Sequence, residues 1–462
     1  MSLIQIQDYD RNENEILDAE DIKNLRLVAN TELKQLLSDN NTHLLVFPPR
    51  IGGNFDGIDD KYIIKLRESN NKAYIKAEDV LGYVGIGNTF LSIGTRFTGN
   101  AKEDFLLHYM LQKVLRINIF KYDHPSTNDA VLDILALMFP GMLSKALRQG
   151  LLKRYVRVER NDANIKGTIN INQHIRYNQP FNGKIAYTQR EHTANNNAIQ
   201  LIRHTIEYIK TTPVKQILKN SSEVKDNIAV IEFATPNYEK RNRQLIINKN
   251  KRRNPHPYFT AYDPLLNLCI AILEHHKVRY TSQDKLIYGI LFSGSWLWEE
   301  YLYSAIFSKL NFTHPDNRRK TDAIYIFKGK IDNSSADPDI IEKNSAPRFP
   351  DYMYEEKGIV KIVVDAKYRH HSYCGDRDNL HQLLTYMYIT KSQSGAFIYP
   401  IGSNDDLELM NEPPKAIEGY GGDYNRFGFV IPRDASNYSE FEKNMCKEED
   451  RLKDRIKELL KH

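Results

Sequence analysis

The stretch Arg348-Phe-Pro-Asp-Tyr-Met-Tyr-Glu-Glu-Lys-Gly-Ile-Val-Lys-Ile-Val-Val-Asp-Ala-Lys-Tyr-Arg369 decides the fold of the C-terminal part of the chain. Its pattern predicts two strands joined by the polar turn 355–358. Successive side chains of a strand point to opposite faces, so Asp365 and Lys367 share one face of the second strand and the other face is apolar. Burying an acid and an amine in such a strand is costly without a purpose. We therefore interpret these two residues as candidates for chemistry.

A second acid, Asp351, precedes the first strand, with thirteen residues between it and Asp365. Pairing of the two strands is expected to bring both carboxylates to one point, beside Lys367. Carboxylate oxygens suit Mg²⁺, and two acids with an ammonium group form the arrangement that cuts a phosphodiester with a metal-activated water. Lys367 would position that water or offset charge on the phosphate. Taken alone, the pattern also fits a solvated strand end that carries a salt bridge.

A helix is predicted downstream, over 378–388, because apolar residues recur at helical spacing. Gln382 and Tyr386 are four residues apart on another face and should project together. The predicted buried stripe consists of Leu380, Leu383, Leu384 and Met387.

A second amphipathic helix is predicted upstream, over 295–306. Its apolar side consists of Trp298, Leu302, Ala305 and Ile306. The adjacent acids Glu299 and Glu300 are candidates for an additional carboxylate at the site, and the spacing alone does not choose between them.

Bulk properties describe a globular protein of two or three domains. The chain has 462 residues, 41% hydrophobic and 27% charged, with a net charge of +5. Because this charge is small, nucleic-acid binding must come from local patches. The three cysteines show no CxxC spacing and predict neither a zinc site nor a disulfide framework, which fits a reducing cytoplasm. We expect no signal peptide, no membrane span and, without a GxxxxGK[ST] loop, no nucleotide hydrolysis by this chain.

The predicted fold class is α+β and multidomain. Short β-like runs before residue 122 predict an N-terminal β-rich domain over 1–122. A mixed helical and strand domain is predicted over 123–283, and an α/β domain that carries the candidate site over 284–462. Arg50 and Arg67 lie in stretches predicted to be loops that project from the N-terminal domain.

Basic residues near the predicted hairpin are candidates for phosphate contacts. Arg318, Arg319 and Lys320 precede it, and Arg369 follows Lys367. The clusters 240–243 and 249–253 fit either phosphate contacts or solvated loops.

Several of these motifs resemble a known family. Pro350-Asp351 followed by Asp365-Ala-Lys367 resembles the PD-(D/E)xK (restriction-endonuclease-like) nuclease superfamily, and Gln382-X-X-X-Tyr386 resembles its RecB-like branch. The succession of segments 150–159, 165–171 and 192–201 resembles the McrC family, the nuclease subunit of McrBC-type (5-methylcytosine-specific) restriction systems. The likeness runs from about residue 81 to about residue 396, although 166–168 lacks the usual arginine.

The resemblance implies a Mg²⁺-dependent endonuclease for double-stranded DNA that acts in phage defence. It implies a partner, a McrB-like AAA+ GTPase motor that forms a ring. The ring surrounds the N-terminal region of the nuclease subunit, which here contains Arg50 and Arg67, and the subunit stimulates GTP hydrolysis by the motor. It also implies Glu299 rather than Glu300 as a metal ligand beside Asp351 and Asp365. Two alternatives remain: a stand-alone or differently partnered nuclease of this fold, and a non-catalytic adaptor that regulates an AAA+ motor.

Overall fold

A computed structural model describes residues 2–10, 13–39, 42–48, 60–69, 72–98, 104–115, 130–219, 221–252, 256–278, 287–315, 322–327, 345–370, 377–402, 413–419 and 421–461. The chain forms two compact units. Unit 1 consists of Met1–Val131 and Gln283–His462, and unit 2 is Leu132–Ser282. The mixed α/β class is confirmed. The finer division into three domains stays a prediction.

The N-terminal part of unit 1 is rich in strands. Its elements are β1 (Ser2–Gln7), β2 (Asn14–Ile16), α1 (Ala19–Leu25), α2 (Leu33–Leu36), β3 (Thr42–Phe47), β4 (Ile64–Ser69), β5 (Lys72–Ala77), β6 (Val80–Ile86), β7 (Thr89–Gly94) and α3 (Phe105–Leu115). We call β1–β7 with α1 and α2 the N-terminal module. Strands β2, β5 and β4 form a three-stranded sheet. Apolar side chains of the module form one continuous buried core.

A strand from much later in the chain completes the larger sheet of the module. Strand β11 (Ile287–Ser293) lies between β6 and β3 in the order β1-β7-β6-β11-β3. It runs antiparallel to β6 and parallel to β3. Gly82 has φ +130°, and a Cβ there would lie 2.1 Å from the carbonyl oxygen of Ile290. Only glycine therefore permits this approach of the two strands.

Unit 2 is mainly helical. Its elements are α4 (Ala130–Leu147, which begins at the end of unit 1), β8 (Arg154–Asp162), β9 (Thr168–Ile169), α5 (Ile171–Tyr177), β10 (Ile185–Thr193), α6 (Asn197–Ile209), α7 (Ser222–Ala234), α8 (Arg243–Lys251) and α9 (Tyr262–Val278), with 3-10 helices at Pro213–Lys219 and Lys240–Asn242. Strands β8, β10 and β9 form an antiparallel sheet. Helix α6 packs against α7, α8 and α9 and is capped by Asn196, which accepts hydrogen bonds from two backbone N–H groups.

The C-terminal part of unit 1 is built on a second five-stranded sheet. After β11 come α10 (Gly294–Ala305), a 3-10 helix (Phe307–Leu310), β12 (Ile324–Phe327), β13 (Ser345–Arg348), β14 (Tyr352–Glu356), β15 (Ile359–Ala366), α11 (Arg377–Thr390), β16 (Ser394–Gly402), β17 (Lys415–Ala416), β18 (Asp423–Ile431) and α12 (Tyr438–Leu459). The sheet order is β14-β15-β16-β18-β17. Strands β15, β16 and β18 are parallel, and β14 and β17 are antiparallel edges.

Two local predictions were wrong. Leu380, assigned to the buried stripe of α11, is 37% exposed, whereas Leu383 and Met387 are buried as predicted. Arg67, assigned to a loop, lies within β4 opposite Tyr74. Its guanidinium forms an ion pair with Glu13. Strand pairing therefore overrides the polar character of 67–69.

Among the described residues, no helix is both long enough and apolar enough to span a bilayer.

Candidate active site

The β14–β15 hairpin brings the two predicted acids together. Tyr352 pairs with Val364 in the antiparallel register, so Asp351 lies one position further along, opposite Asp365. The backbone N–H of Ala366 donates to Oδ2 of Asp351 at 2.5 Å. Asp365 is 2% exposed and Asp351 is half-buried. The carboxylates therefore meet at the end of the hairpin, largely shielded from water.

Lys367 points to the same place. Its Nζ lies 2.6 Å from Oδ2 of Asp365 and donates to Oε1 of Gln382 at 3.1 Å. Its backbone N–H donates to the carbonyl of Ile398 on the parallel strand β16 at 2.7 Å. Both ends of the lysine are thus held, one by the sheet and the other by α11.

Helix α11 continues this network into the core. Nε2 of Gln382 donates to the Tyr386 hydroxyl at 2.6 Å, and that hydroxyl donates to the carbonyl of Phe349 at 3.2 Å. Tyr386 is 2% exposed, because its ring belongs to the apolar cluster that also contains Leu383 and Val363. The helix therefore packs on the face of β15 that carries Asp365, and Gln382 and Tyr386 project together as predicted.

The electrostatics of the site favour a bound cation. Burial, with the neighbouring Asp365 charge, raises the pKa of Asp351 to about 8. Burial also raises the pKa of Asp365, although Lys367 opposes this shift. For Lys367, burial lowers the pKa, but the two carboxylates outweigh this and raise it overall. Lys367 stays charged, and one ammonium group does not fully compensate two buried acids.

Helix α10 places Glu299 and Glu300 differently. Ser293 caps the helix by accepting from the Trp296 N–H at 3.4 Å. The carbonyl of Glu299 accepts from the Tyr352 hydroxyl at 2.6 Å, and Glu299 lines a cavity together with Lys367. Glu300 instead lies 3.8 Å from Nε2 of a histidine, His314.

His314 was not found from the sequence. Its Nδ1 donates to the backbone carbonyl of Asp351 at 2.6 Å, so it fixes the backbone that carries the first acid. Burial lowers the pKa of His314, but Glu300 and Asp351 outweigh this and raise it. It follows the 3-10 helix in a segment whose sequence gives no signal of this contact.

The cavity beside Lys367 has a volume of about 990 Å³. One wall comes from α10 and the end of β15, with Glu299, Ala366 and Lys367. The opposite wall comes from the N-terminal module. Two of the predicted catalytic residues, Glu299 and Lys367, therefore border this cavity.

Comparison with known families identifies the chain. The model of a family described as McrBC 5-methylcytosine restriction system component matches residues 75–400. The chain belongs to this family. The matched range includes the α10 acids, the hairpin and α11.

Comparison with curated proteins gives no match. Two solved structures are similar to this McrBC family member. One, described as a refined half-complex from the tetradecameric assembly of Thermococcus gammatolerans McrB AAA+ hexamers with bound McrC, has 14% identity and a TM-score of 0.45, and the match covers 97% of this chain and 100% of that one. The other, a cryo-EM structure of the Thermococcus gammatolerans McrBC complex, has 14% identity and a TM-score of 0.32, covering 67% of this chain and 88% of that one.

The predicted DNA and partner contacts of this McrBC family member are only partly described. Arg369 borders the cavity, and its Nη2 donates to Oδ1 of Asn379 at 2.6 Å. Arg67 is exposed on β4. Arg318, Arg319, Lys320 and Arg50 lie outside the described residues.

The carboxylates of the site suit Mg²⁺ better than a metal ion that is coordinated entirely by protein side chains. Within the described ranges, no three histidine, cysteine, aspartate or glutamate side chains are grouped to hold an ion, so Glu299 is not grouped with Asp351 and Asp365 as a third ligand. Mg²⁺ is usually held by one or two carboxylates, with waters and substrate phosphates completing its shell. The adjacent carboxylates of Asp351 and Asp365, whose pKa values are raised mainly by burial, fit that pattern.

Proposed function

We propose that this McrBC family member is a Mg²⁺-dependent endonuclease of the PD-(D/E)xK type that cleaves double-stranded DNA in phage defence. The observation that carries the proposal is the meeting of Asp351, Asp365 and Lys367 at the end of one hairpin. A structural salt bridge needs one acid and one base. A second, half-buried carboxylate at the same point adds a stability cost, which a catalytic role explains.

In the proposed mechanism, Asp351 and Asp365 would hold the ion. Glu299, which is not grouped with these two acids among the described residues, would become a further ligand when its side chain turns from the cavity wall to the bound ion. When bound, Mg²⁺ supplies Lewis-acid polarisation of the phosphodiester and promotes ionisation of the attacking water. Lys367 offsets the negative charge that develops on the phosphate. Gln382 and Tyr386 keep the Lys367 ammonium group in register.

The proposed partner is a ring-forming, McrB-like AAA+ GTPase motor. Family membership supports it, because the family is described as a component of a restriction system. The N-terminal region, with Arg50 and Arg67, would enter the ring and stimulate hydrolysis by the motor. Arg67 is suited to such contact because its side chain is exposed on a strand.

The test is a cleavage assay with the purified chain, its motor, GTP and Mg²⁺. The proposal expects cleavage that needs all components and is lost in Lys367→Ala, while the variant still assembles with the motor. Full-rate cutting by Lys367→Ala would show that the site is misassigned.

The same assay separates the competing functions. Cleavage by the isolated chain with Mg²⁺ favours a stand-alone or differently partnered nuclease. Stimulation of a motor by Asp365→Ala, with no cleavage by the unmodified protein, favours a non-catalytic adaptor. The buried Asp351–Asp365 pair counts against the adaptor, because an inactive fold has no need of it.

A further inference from the structure

The N-terminal module forms one wall of the cavity beside Lys367, and the cavity is cationic. Six lysine and arginine side chains line it against three carboxylates. The cationic side chains are Lys61, Lys76 and Arg96 from the module and Lys367, Arg369 and Arg433 from the C-terminal part. A concave site with an excess of one charge focuses its field and attracts ligands of the opposite sign. The ligand suited to this cavity is therefore an anion.

The N-terminal part contributes two acids to the cavity, Asp10 and Asp79, and both oxygens of Asp79 are paired with cationic side chains. Oδ2 of Asp79 accepts from Nζ of Lys61 at 2.6 Å and from the Ser295 hydroxyl at 2.8 Å. Its Oδ1 accepts from Nη2 of Arg96 at 3.2 Å. Asp79 is 7% exposed. It therefore organises the wall and leaves little negative charge for an incoming anion to meet.

Arg96 ties this wall to the catalytic strand. Its guanidinium forms an ion pair with the fully buried Asp8. The same group lies 4.5 Å from the ring centroid of Tyr9 and 4.7 Å from that of Tyr368, the residue after Lys367. Cation–π contacts of this kind hold flat groups in fixed positions. The wall is thus fixed relative to Lys367.

Among the described residues of this wall, Lys76 is a cation whose charge is not compensated. It lies on β5, half-buried, and its side chain makes no hydrogen bond or ion pair with any residue in the described ranges. Lys65, its partner across the β4–β5 ladder, instead forms an ion pair with Glu78 at 2.5 Å. Partial burial of an unpaired ammonium group is costly, and a bound anion would offset that cost.

We propose that Lys76 binds a backbone phosphate of the DNA strand that is cut, so that the N-terminal module supplies half of the phosphodiester-binding surface of the nuclease. This inference rests on the proposed nuclease function. Because a phosphate contact reads no base, Lys76 contributes affinity and not sequence preference. The module would then have a DNA-binding role in addition to any contact with a motor.

The test uses the full-length chain and a fluorescein-labelled DNA duplex, without divalent cation so that nothing is cut. Fluorescence anisotropy gives the affinity over a range of salt concentrations. Lys76→Gln should weaken binding several-fold and make the slope of log K against log salt less steep by about 0.9 for one lost phosphate contact. Lys76→Arg should keep both the affinity and the slope of the unmodified protein. Lys65→Gln removes the same charge from the neighbouring strand and should leave the slope unchanged.

The inference is overturned if Lys76→Gln binds with the affinity and slope of the unmodified protein, if Lys65→Gln loses as much, or if the unmodified protein does not bind the duplex. Failure of the proposed function looks different. The chain could bind DNA through Lys76 and still not cleave it when Mg²⁺ and a motor are present. In that case the phosphate site is correct and the proposed nuclease function is wrong. If Lys76→Gln changes neither cleavage nor binding, the nuclease function stands and the phosphate site at Lys76 is wrong.

Discussion

Nζ of Lys367 donates to Oε1 of Gln382 at 3.1 Å, so the candidate catalytic lysine and the helix that follows it belong to one hydrogen-bonded network. The network ends at the buried hydroxyl of Tyr386 and the carbonyl of Phe349. A charged group held at both ends loses little entropy when a substrate arrives. Substitutions of the acids, of α11 and of the cavity wall should therefore have different effects on cleavage.

Asp365→Asn should reduce DNA cleavage by at least about 100-fold, because it removes one of the two carboxylate charges proposed to hold the ion that polarises the phosphate. Steady-state cleavage with the motor present measures this. The matched control is Asp450→Asn, an exposed acid paired with Lys453 on α12, which should cut normally. Motor assembly should be the same in both variants. Loss of assembly in Asp365→Asn would point to a structural role for the acid.

Tyr386→Phe should lower kcat about tenfold or less and leave KM unchanged. The variant keeps the buried ring but removes the hydroxyl that supports Gln382, and one hydrogen bond is worth about 1 kcal/mol. Tyr388→Phe removes a hydroxyl from the same helix at a position that is 75% exposed and should change neither constant. A rise in KM with kcat intact would contradict positioning of Lys367.

Glu299→Gln should raise the Mg²⁺ concentration for half-maximal cleavage about tenfold or more, as expected when an oxygen ligand is weakened. Glu300→Gln should leave that concentration unchanged, because Glu300 faces His314 and not the cavity. A magnesium titration of both variants decides between the neighbouring acids. The reverse result would assign the ligand to Glu300.

His204 should make unit 2 sensitive to acid. It is fully buried against Tyr238, and neither ring nitrogen has a hydrogen-bond partner among the described residues. Burial, with nearby Arg243 and Arg203, lowers its pKa to about 4. The unfolded chain therefore takes up the proton first, and the stability this histidine contributes is complete above pH ~6.5 and is lost as the pH falls toward about 4.

His204→Phe should abolish that part of the acid sensitivity, which is at most about 1.4 kcal/mol per pH unit. The measurement is the free energy of unfolding by urea at pH 7 and pH 5 for both proteins. His192→Phe, exposed on β10, is the control and should keep the pH dependence. Equal pH dependence in His204→Phe and the unmodified protein would contradict the buried neutral histidine.

The hairpin and its helix were predictable because their signals are local. Alternation along β15 separates Asp365 from the apolar face. The turn predicted at 355–358 is confined to 357–358, because β14 continues to Glu356, and it fixes the pairing of β14 with β15. Helical spacing brings Gln382 and Tyr386 to one side of α11. The exposure of Leu380 was missed because helical periodicity predicts the direction of the buried face and does not predict how wide that face is.

Other features depend on contacts between distant segments. Glu449, on α12, is 2% exposed and accepts from the hydroxyls of Tyr109 at 2.8 Å and Tyr301 at 3.1 Å. Its partners are 340 and 148 residues away in sequence. No periodicity within α12 indicates such a contact, because the pattern of a helix describes its own faces only.

The sequence by itself determined the β14–β15 hairpin, the shared direction of Asp365 and Lys367, and the face of α11 that carries Gln382, because each follows from the repeat of one element or the length of one turn. Only the tertiary structure decided that β11 enters the N-terminal sheet, that His314 supports Asp351, and that Lys76 borders the same cavity as Lys367. These are pairings between segments far apart in the chain. They are selected by the burial of apolar surface and the satisfaction of backbone hydrogen bonds in the whole fold, which no short window of sequence contains.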